Sequence, residues 1–311
     1  MSRRVHGPQA LYPVYVVILN WNLPWDTIAC VESVQAGAPS GVEIVVVDNG
    51  STDDSLVLFQ DRLGDQVTIL ATAENLGFAG GVNVGIEHAI SEGAQSVLLL
   101  NNDTIVEPGM IRHLVRAASQ SANVGIVGPI IYYYDQPELI WRFGDREYRG
   151  LPVPIRLSDR AIVEAAGAPF SADYVTACGM LVRREVFEAI GLFDTRFFFY
   201  FEDADFCRRA RLAGFGIWCA PRAKMWHKVS LSARKAKPGT RYAEFWGRAQ
   251  FYQTHPHGFS RALTLVYLLV KLLMTTARDI VHGEPALIKP AWAGFIDGHC
   301  SRASRVSQFF A

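Results

Sequence analysis

Three short stretches carry side chains that could act on a polar substrate together. Asn101-Asn102-Asp103-Thr104 closes an apolar run with a carboxylate beside amide oxygens. Hard divalent cations take such oxygen ligands, and Mg²⁺ typically uses one or two carboxylates together with its substrate's phosphates. Glu202-Asp203 opens a helical pattern that continues Phe206-Cys207-Arg208-Arg209. Free N–H groups and the helix dipole favour an ionised carboxylate there, as a general base requires. His227 follows a strand-like run and precedes a basic stretch. Each has a plainer alternative: Asn-Asn-Asp also makes a good turn, acidic residues are common in first helical turns, and a lone histidine is often structural. Beside Glu202-Asp203 stands Phe197-Phe198-Phe199-Tyr200-Phe201, a ring-rich run suited to the wall of a polyol-binding cleft.

The elements that must position these groups can be read from hydrophobic pattern. β-Branched apolar runs recur at 14–19, 43–47, 67–70, 97–100 and 124–127, with helical stretches at 25–36, 55–63, 81–91 and 108–119 between or after them. This alternation predicts an α/β fold with a doubly wound, mostly parallel sheet. Ligands of such sheets bind beyond the carboxyl ends of the strands. Four polar clusters fall at those ends: Asn20-Trp21-Asn22, Asp48-Asn49-Gly50-Ser51-Thr52-Asp53, Glu74-Asn75-Leu76-Gly77 and Asn101-Asn102-Asp103. Singly they are turn chemistry; four on one edge point to a site.

Beyond residue 130 the pattern predicts loops or an antiparallel excursion, then a strand over 174–182, a helix over 184–190, the helix opened by Glu202 and closed at Gly214, and a strand over 217–220. From about residue 241 the chain is helical in pattern. The stretch 262–277 is its most apolar segment, yet sixteen residues interrupted by Lys271 are too few to span a bilayer. It either lies in a membrane interface or packs on the catalytic domain. The expected organisation is a domain over 1–240, divided at about residue 130 where the regular alternation ends, and a helical extension over 241–311.

Charge is divided unevenly along the 311 residues. Residues 1–203 carry 13 Lys+Arg and 25 Asp+Glu, whereas residues 204–311 carry 17 and 5. An acidic half suits cation chemistry and a basic half suits phosphates or anionic lipid. The five cysteines are odd in number and form no C-x-x-C pair, which argues against a disulfide framework or zinc ribbon. The amino-terminal apolar run is too short for a secretory signal, so the cytoplasm is the expected compartment, with peripheral attachment to the membrane's inner face left open. G-x-G-x-x-G and G-x-x-x-x-G-K-[ST] are both missing from the sequence, which disfavours dinucleotide oxidoreductases and P-loop enzymes. No nucleic-acid reader motif accompanies the basic residues.

As an ordered set, these segments resemble the family 2 glycosyltransferases of the GT-A fold, and within them the bacterial rhamnosyltransferase-like members that build cell-surface polysaccharide. The matching segments are Val16-Val17-Ile18-Leu19-Asn20-Trp21-Asn22, Val47 through the Asp48 to Asp53 loop, Asn75-Leu76-Gly77-Phe78-Ala79-Gly80-Gly81, Leu100-Asn101-Asn102-Asp103, Ala177-Cys178-Gly179-Met180, Phe199-Tyr200-Phe201-Glu202-Asp203-Ala204-Asp205 and Trp226-His227. They cover about residues 14 to 230.

The resemblance implies an inverting, metal-dependent sugar transferase using Mg²⁺ or Mn²⁺. By it, Asp48 recognises the nucleotide base, with Asn20 and Asn22 nearby and Asp53 the second acidic residue of that loop. Asn75 and Gly77 lie near the nucleotide sugar. Asn101, Asn102 and Asp103 stand for the family's D-x-D motif, with Asn at its first position and Asp103 as metal ligand. Asp203 is then the base, Glu202 its neighbour and His227 a second metal ligand. The implied donor is a nucleotide-sugar, first dTDP-rhamnose and next UDP-hexoses. The implied acceptor is a glycan or lipid-linked sugar, with Arg222, Lys224, Lys228, Arg234, Lys235 and Lys237 available to an anionic membrane surface. The alternatives are a metal-dependent nucleotidyltransferase and a non-catalytic carbohydrate- or lipid-binding module. Oligomeric state is not readable from the sequence.

Overall fold

A computed structural model describes residues 7–147, 154–156, 167–229, 237–255, 261–300 and 303–309. The strands of the first half are short because each is an almost unbroken apolar run ended by polar residues. They are β1 (Val14–Asn20), β2 (Val42–Asp48), β3 (Thr68–Ala71) and β4 (Ser96–Asn101), followed by a short β5 (Thr104–Val106). Between and after them come helices α1 (Pro24–Gly37), α2 (Ser55–Arg62), α3 (Gly77–Ser91) and α4 (Met110–Ala118). Then follow β6 (Val124–Tyr133), β7 (Ile140–Arg142), β8 (Asp145–Glu147), β9 (Pro154–Arg156), β10 (Phe170–Ala172) and β11 (Gly179–Arg183). The remainder comprises α5 (Arg184–Ile190), α6 (Glu202–Leu212), β12 (Gly216–His227), α7 (Lys237–Thr254), α8 (Arg261–Val281) and α9 (Ile288–His299).

The main sheet runs β10-β12-β6-β11-β4-β1-β2-β3. β1, β2, β3 and β4 are mutually parallel, as are β6 and β12, while β11 sits antiparallel between β4 and β6. Successive residues serve opposite apolar layers, as the period of a strand demands. Val17, Val45, Val47, Val97 and Leu99 face α3, α5 and α6, whereas Val16, Ile18, Val46, Leu98 and Leu100 face α1 and α4. Coverage of both faces explains the near-continuous hydrophobic strands. α3 lies close on the sheet because Gly85 has no side chain: a Cβ there would stand 2.4 Å from Val17 Cγ1.

Several elements depart from the expected boundaries. α3 begins at Gly77 rather than 81, since its glycines serve close packing and do not break the helix. β6 runs on to Tyr133, where loops were expected, because β12 pairs with it along that whole length. β12 spans twelve residues, an irregularity between Ala220 and Lys224 carrying it past the expected end at 220. The expected strand over 174–182 is divided: Tyr174 only bridges Asp145, Gly179 N–H bonds back to Thr176 O, and the ladder starts at Gly179. The antiparallel excursion exists as β7 on β6 and as the β8–β9 pair.

α7 packs its Tyr242, Ala243 and Trp246 on Phe197, with Phe198 to Phe201 alongside. Phe245 of α7 joins Leu268 and Leu272 of α8 and Ala291 and Phe295 of α9 in a separate apolar cluster. Among the described residues, no helix is long and apolar enough to cross a membrane. Arg234 and Lys235 lie outside the described residues.

Candidate active site

β1 pairs with β2 and β4 so that Asn20 meets Asp48 and Leu19 meets Asn101, which sets the polar clusters at one edge of the sheet. The antiparallel pairing of β5 with β12 sets Thr104 opposite His227, so Asp103 arrives beside the imidazole although 124 positions separate the two. Lys228 N–H bonds Asp103 O at 2.9 Å and locks this approach. From the other side, α6 brings Glu202 and Asp203.

One cavity of about 200 Å³ collects these groups: Asn75, Gly77, Asn101, Asn102, Asp103, Glu202, Asp203 and His227 all line it. Asn20, Asn22, Asp48 and Asp53 are not among its lining residues. Asp48 is buried behind the edge, where its Oδ1 accepts 2.7 Å from Asn20 Nδ2 and its Oδ2 accepts 3.2 Å from Ser51 N–H. Asn22 Oδ1 accepts from Thr52 N–H at 2.8 Å. Asp53 is exposed, and its Oδ1 accepts from Ser55 N–H at 3.1 Å at the start of α2. Asn102 donates to Thr27 Oγ1 at 3.0 Å, which is in turn bonded to Asn20. These residues shape the loops that form the edge.

The Asp103–His227 pair is buried, with Oδ1 and Nε2 3.0 Å apart. Neither ring nitrogen of His227 makes a hydrogen bond of normal geometry within the protein. Adjacent ligands on an octahedral ion with bonds of 2.0–2.1 Å stand about 3 Å apart, so the spacing fits shared coordination of Mg²⁺ or a similar ion. Among the described residues no third His, Cys, Asp or Glu joins them in a metal-holding group. A cation held by these two alone would keep its other positions for phosphate oxygens and water, the usual Mg²⁺ arrangement with phosphate substrates. Burial opposes a charge on His227 and the Asp103 carboxylate 3.0 Å away favours one; a cation held by the pair would take the place of that proton.

Asp203 is held from two directions. Tyr174 O–H donates to its Oδ2 at 2.5 Å, and Ala204 N–H donates to its Oδ1 at 2.8 Å. Burial, then the charge of Asp203, keep the Tyr174 phenol far above its ordinary pKa and therefore a donor. Arg142 lies over the Tyr174 ring, 5.2 Å from its centroid, and bonds Asp145 at 3.0 Å. Glu202, next to Asp203, is buried. Burial first, and repulsion from Asp203 second, push its carboxyl well above the usual range and outweigh the helix dipole. Its Oε2 has no hydrogen-bond partner.

Tyr200 and Phe201, immediately before this pair, both have left-handed backbone, with φ of 70° and 73°. Such conformations cost about 1–2 kcal/mol per residue without glycine. α7 holds them in place: the Phe201 ring packs on Phe251 and under the Arg248 guanidinium. At the far end of α7, His255 Nε2 lies 2.7 Å from buried Asp205 Oδ1, and Arg209 Nε bonds Asp205 Oδ2 at 2.7 Å. The C-terminal helices thereby hold α6, which carries Glu202 and Asp203.

Sequence reasoning missed several lining residues. Asn49 Nδ2 bonds Asn75 Oδ1 and Gly77 O, both at 3.0 Å, and organises the loop before α3. Trp141 meets the His227 ring edge-on at 4.6 Å and, with Trp21, Phe78, Phe198 and Phe199, makes the wall aromatic. Only the run 197–201 and the Trp21 cluster signalled this in the sequence. Tyr174 gave no signal, since its contact with Asp203 depends on the turn at 176–179.

Solved structures with this architecture define the class of fold. GalNAc-T7 with UDP, GalNAc and Mn²⁺ superposes with a TM-score of 0.63 at 19% identity, over 88% of this chain and 58% of that one. The mannosyltransferase PcManGT from Pyrobaculum calidifontis, with GDP-Man and Mn²⁺, gives 0.57 at 15% identity, over 100% and 81%. The fold is thus of the GT-A type. At the level of sequence, the profile described as Glycosyltransferase like family 2 matches residues 10–255, and the chain belongs to that family. It is 25% identical over 188 residues to the dTDP-rhamnosyl transferase RfbF of Shigella flexneri, covering 60% of each. It is 29% identical over 214 residues to the low-salt glycan biosynthesis hexosyltransferase Agl10 of Haloferax volcanii, covering 65% of this chain and 62% of that one. The N-acetylglucosaminyl-diphospho-decaprenol L-rhamnosyltransferase of Mycobacterium tuberculosis is 30% identical over 210 residues, covering 61% and 68%. The chain spans about 60% of the length of the first two of these relatives.

Proposed function

We propose that the chain is an inverting glycosyltransferase that moves a sugar from a nucleoside diphosphate donor to a hydroxyl of a glycan or lipid-linked acceptor. The observation that carries this reading is the convergence of Asp103, His227 and Asp203 on one aromatic-walled cavity. Rhamnose from dTDP-rhamnose is the proposed donor sugar, on the names of the Shigella and mycobacterial relatives. The mycobacterial name supports a polyprenyl-diphosphate acceptor.

In this reading, Asp203 accepts the proton of the acceptor hydroxyl as that oxygen bonds to the anomeric carbon. The bond from that carbon to the diphosphate oxygen breaks on the opposite face, and the leaving nucleoside diphosphate takes the electron pair. Tyr174 fixes the orientation of the Asp203 carboxylate, and burial of Glu202 disfavours a second negative charge beside it. Asp103 and His227 would hold a Mg²⁺ or Mn²⁺ ion, which as a Lewis acid offsets charge on the diphosphate. Asn75, Gly77, Asn101 and Asn102 face the donor. Asn20, Asn22, Asp48 and Asp53 support the nucleotide end by shaping its loops.

The test is release of dTDP from dTDP-rhamnose with Mn²⁺, read together with nucleotide binding by thermal shift. Asp203→Asn is expected to abolish turnover and to leave dTDP binding nearly intact. Turnover retained in that variant removes Asp203 from the mechanism, and absence of stabilisation by any of the dTDP- or UDP-sugars removes the donor reading.

A further inference from the structure

α8 presents two faces of different fate. Leu268, Leu272, Thr275 and Asp279 are buried, and the first two join the cluster with Phe245 and Phe295. On the opposite side, Leu263, Val266, Val270, Leu273, Met274 and Val281 recur at helical spacing and are each 48 to 82% exposed. At 1.5 Å per residue this uncovered apolar stripe is about 27 Å long. Scattered exposed apolar residues are ordinary, but a contiguous stripe of this length marks an interaction surface.

The charges beside the stripe have one sign. Exposed Lys271 and Arg278 border it along one side, and Arg261 stands at its start. The one carboxylate of the helix, Asp279, is buried and bonded by Arg241 at 3.1 Å and Arg278 at 3.4 Å. An apolar stripe edged by cations is the pattern of a helix lying in a lipid interface, its apolar side among acyl chains and its cations on anionic headgroups. A second copy of the chain fits less well. Lys271 is the midpoint of Arg261–Val281, so a two-fold antiparallel pairing of the stripes would set Lys271 against its own mate, with no exposed acid on the helix to offset it.

We propose that α8 docks the protein in the plane of an anionic lipid surface, with this stripe embedded. The proposal stands apart from the reading of the cavity. α7 nevertheless connects the two, because it packs on α8 through Phe245 and on the aromatic cavity wall through Trp246.

The experiment is cosedimentation of the full chain with vesicles of phosphatidylglycerol and phosphatidylcholine in equal parts, against pure phosphatidylcholine. Binding to the anionic vesicles is expected, with at least a tenfold loss in Val266→Glu and in Met274→Glu. Both positions are exposed, and circular dichroism checks that each variant folds. Val57→Glu, at an exposed apolar site on α2, should bind as the wild type does. Lys271→Glu with Arg278→Glu should remove the preference for anionic lipid. Failure of the wild type to bind, or equal binding by the stripe variants, overturns the proposal. So does a wild-type dimer in light scattering that Met274→Glu converts to monomer, which would make a second copy the occupant.

Discussion

Tyr174 O–H and Asp203 Oδ2 stand 2.5 Å apart, a half-buried phenol donating to a carboxylate at the start of α6. Hydrogen bonds to charged groups are worth about 1.5–3 kcal/mol. If Asp203 is the base, Tyr174→Phe should lower kcat for dTDP release from dTDP-rhamnose about 10- to 100-fold, the rate equivalent of that energy. The affinity for dTDP should stay unchanged, because the phenol touches the base and not the nucleotide end. A full wild-type kcat would show that Asp203 is positioned without it.

Asp103 and His227 make a second test that does not depend on turnover. A ligand at a hundred times its Kd adds about 2.7 kcal/mol of stability. Mn²⁺ with dTDP is expected to raise the melting temperature of the wild type well beyond dTDP alone. Asp103→Ala and His227→Ala should each remove most of that Mn²⁺-dependent increment. An undiminished increment in either variant would exclude that residue as a ligand.

Much of this arrangement is legible in the sequence, for reasons of differing strength. The strands announce themselves because Val16, Val17, Ile18 and their counterparts must be apolar on both faces. Asp103, Asp203 and His227 stand out as polar residues at the ends of regular elements, and the resemblance to a family supplies their expected convergence. Other features need three dimensions. Tyr174 reads as one more strand residue until the turn at 176–179 aims it at Asp203. Asp48 and Asp53 look equivalent within one loop, yet one is buried behind the sheet edge and the other starts α2 in solvent. The raised carboxyl of Glu202 is likewise hidden, because burial, invisible in the local sequence, outweighs the helix dipole that the sequence does show.

Glu202 leads to a pH dependence. Its carboxyl titrates well above the usual range in the folded protein, so folding favours the protonated form. Below the unfolded carboxyl's pKa, near 4.3, both states are protonated and this contribution to stability is fully present. As pH rises above that value only the unfolded chain ionises, and stability falls by about 1.4 kcal/mol per unit until the folded pKa is passed. Glu202→Gln removes the titration. Its melting temperature relative to wild type should therefore climb steadily from pH 4.5 towards neutrality in a thermal-shift series. A difference independent of pH would mean that Glu202 ionises normally.

Gly77 combines two constraints that a single substitution can probe. It begins α3 with φ of 74°, and a Cβ there would stand 2.4 Å from Phe198 O and 2.7 Å from the Phe198 ring. The next N–H, that of Phe78, bonds the same Phe198 carbonyl at 2.7 Å, so the backbone cannot retreat without losing this contact between the two cavity walls. Gly77→Ala should cost about 2–5 kcal/mol, left-handed strain and overpacking together. Gly64→Ala is the control: φ there is 51°, but no atom lies within 4 Å of the added methyl, so only the strain of about 1–2 kcal/mol applies. Urea unfolding of both variants separates the two contributions. Because the clash displaces Phe198 from the cavity, Gly77→Ala should also weaken dTDP binding, which Gly64→Ala should leave alone; equal losses of stability and binding in the two variants would mean that Phe198 gives way without cost.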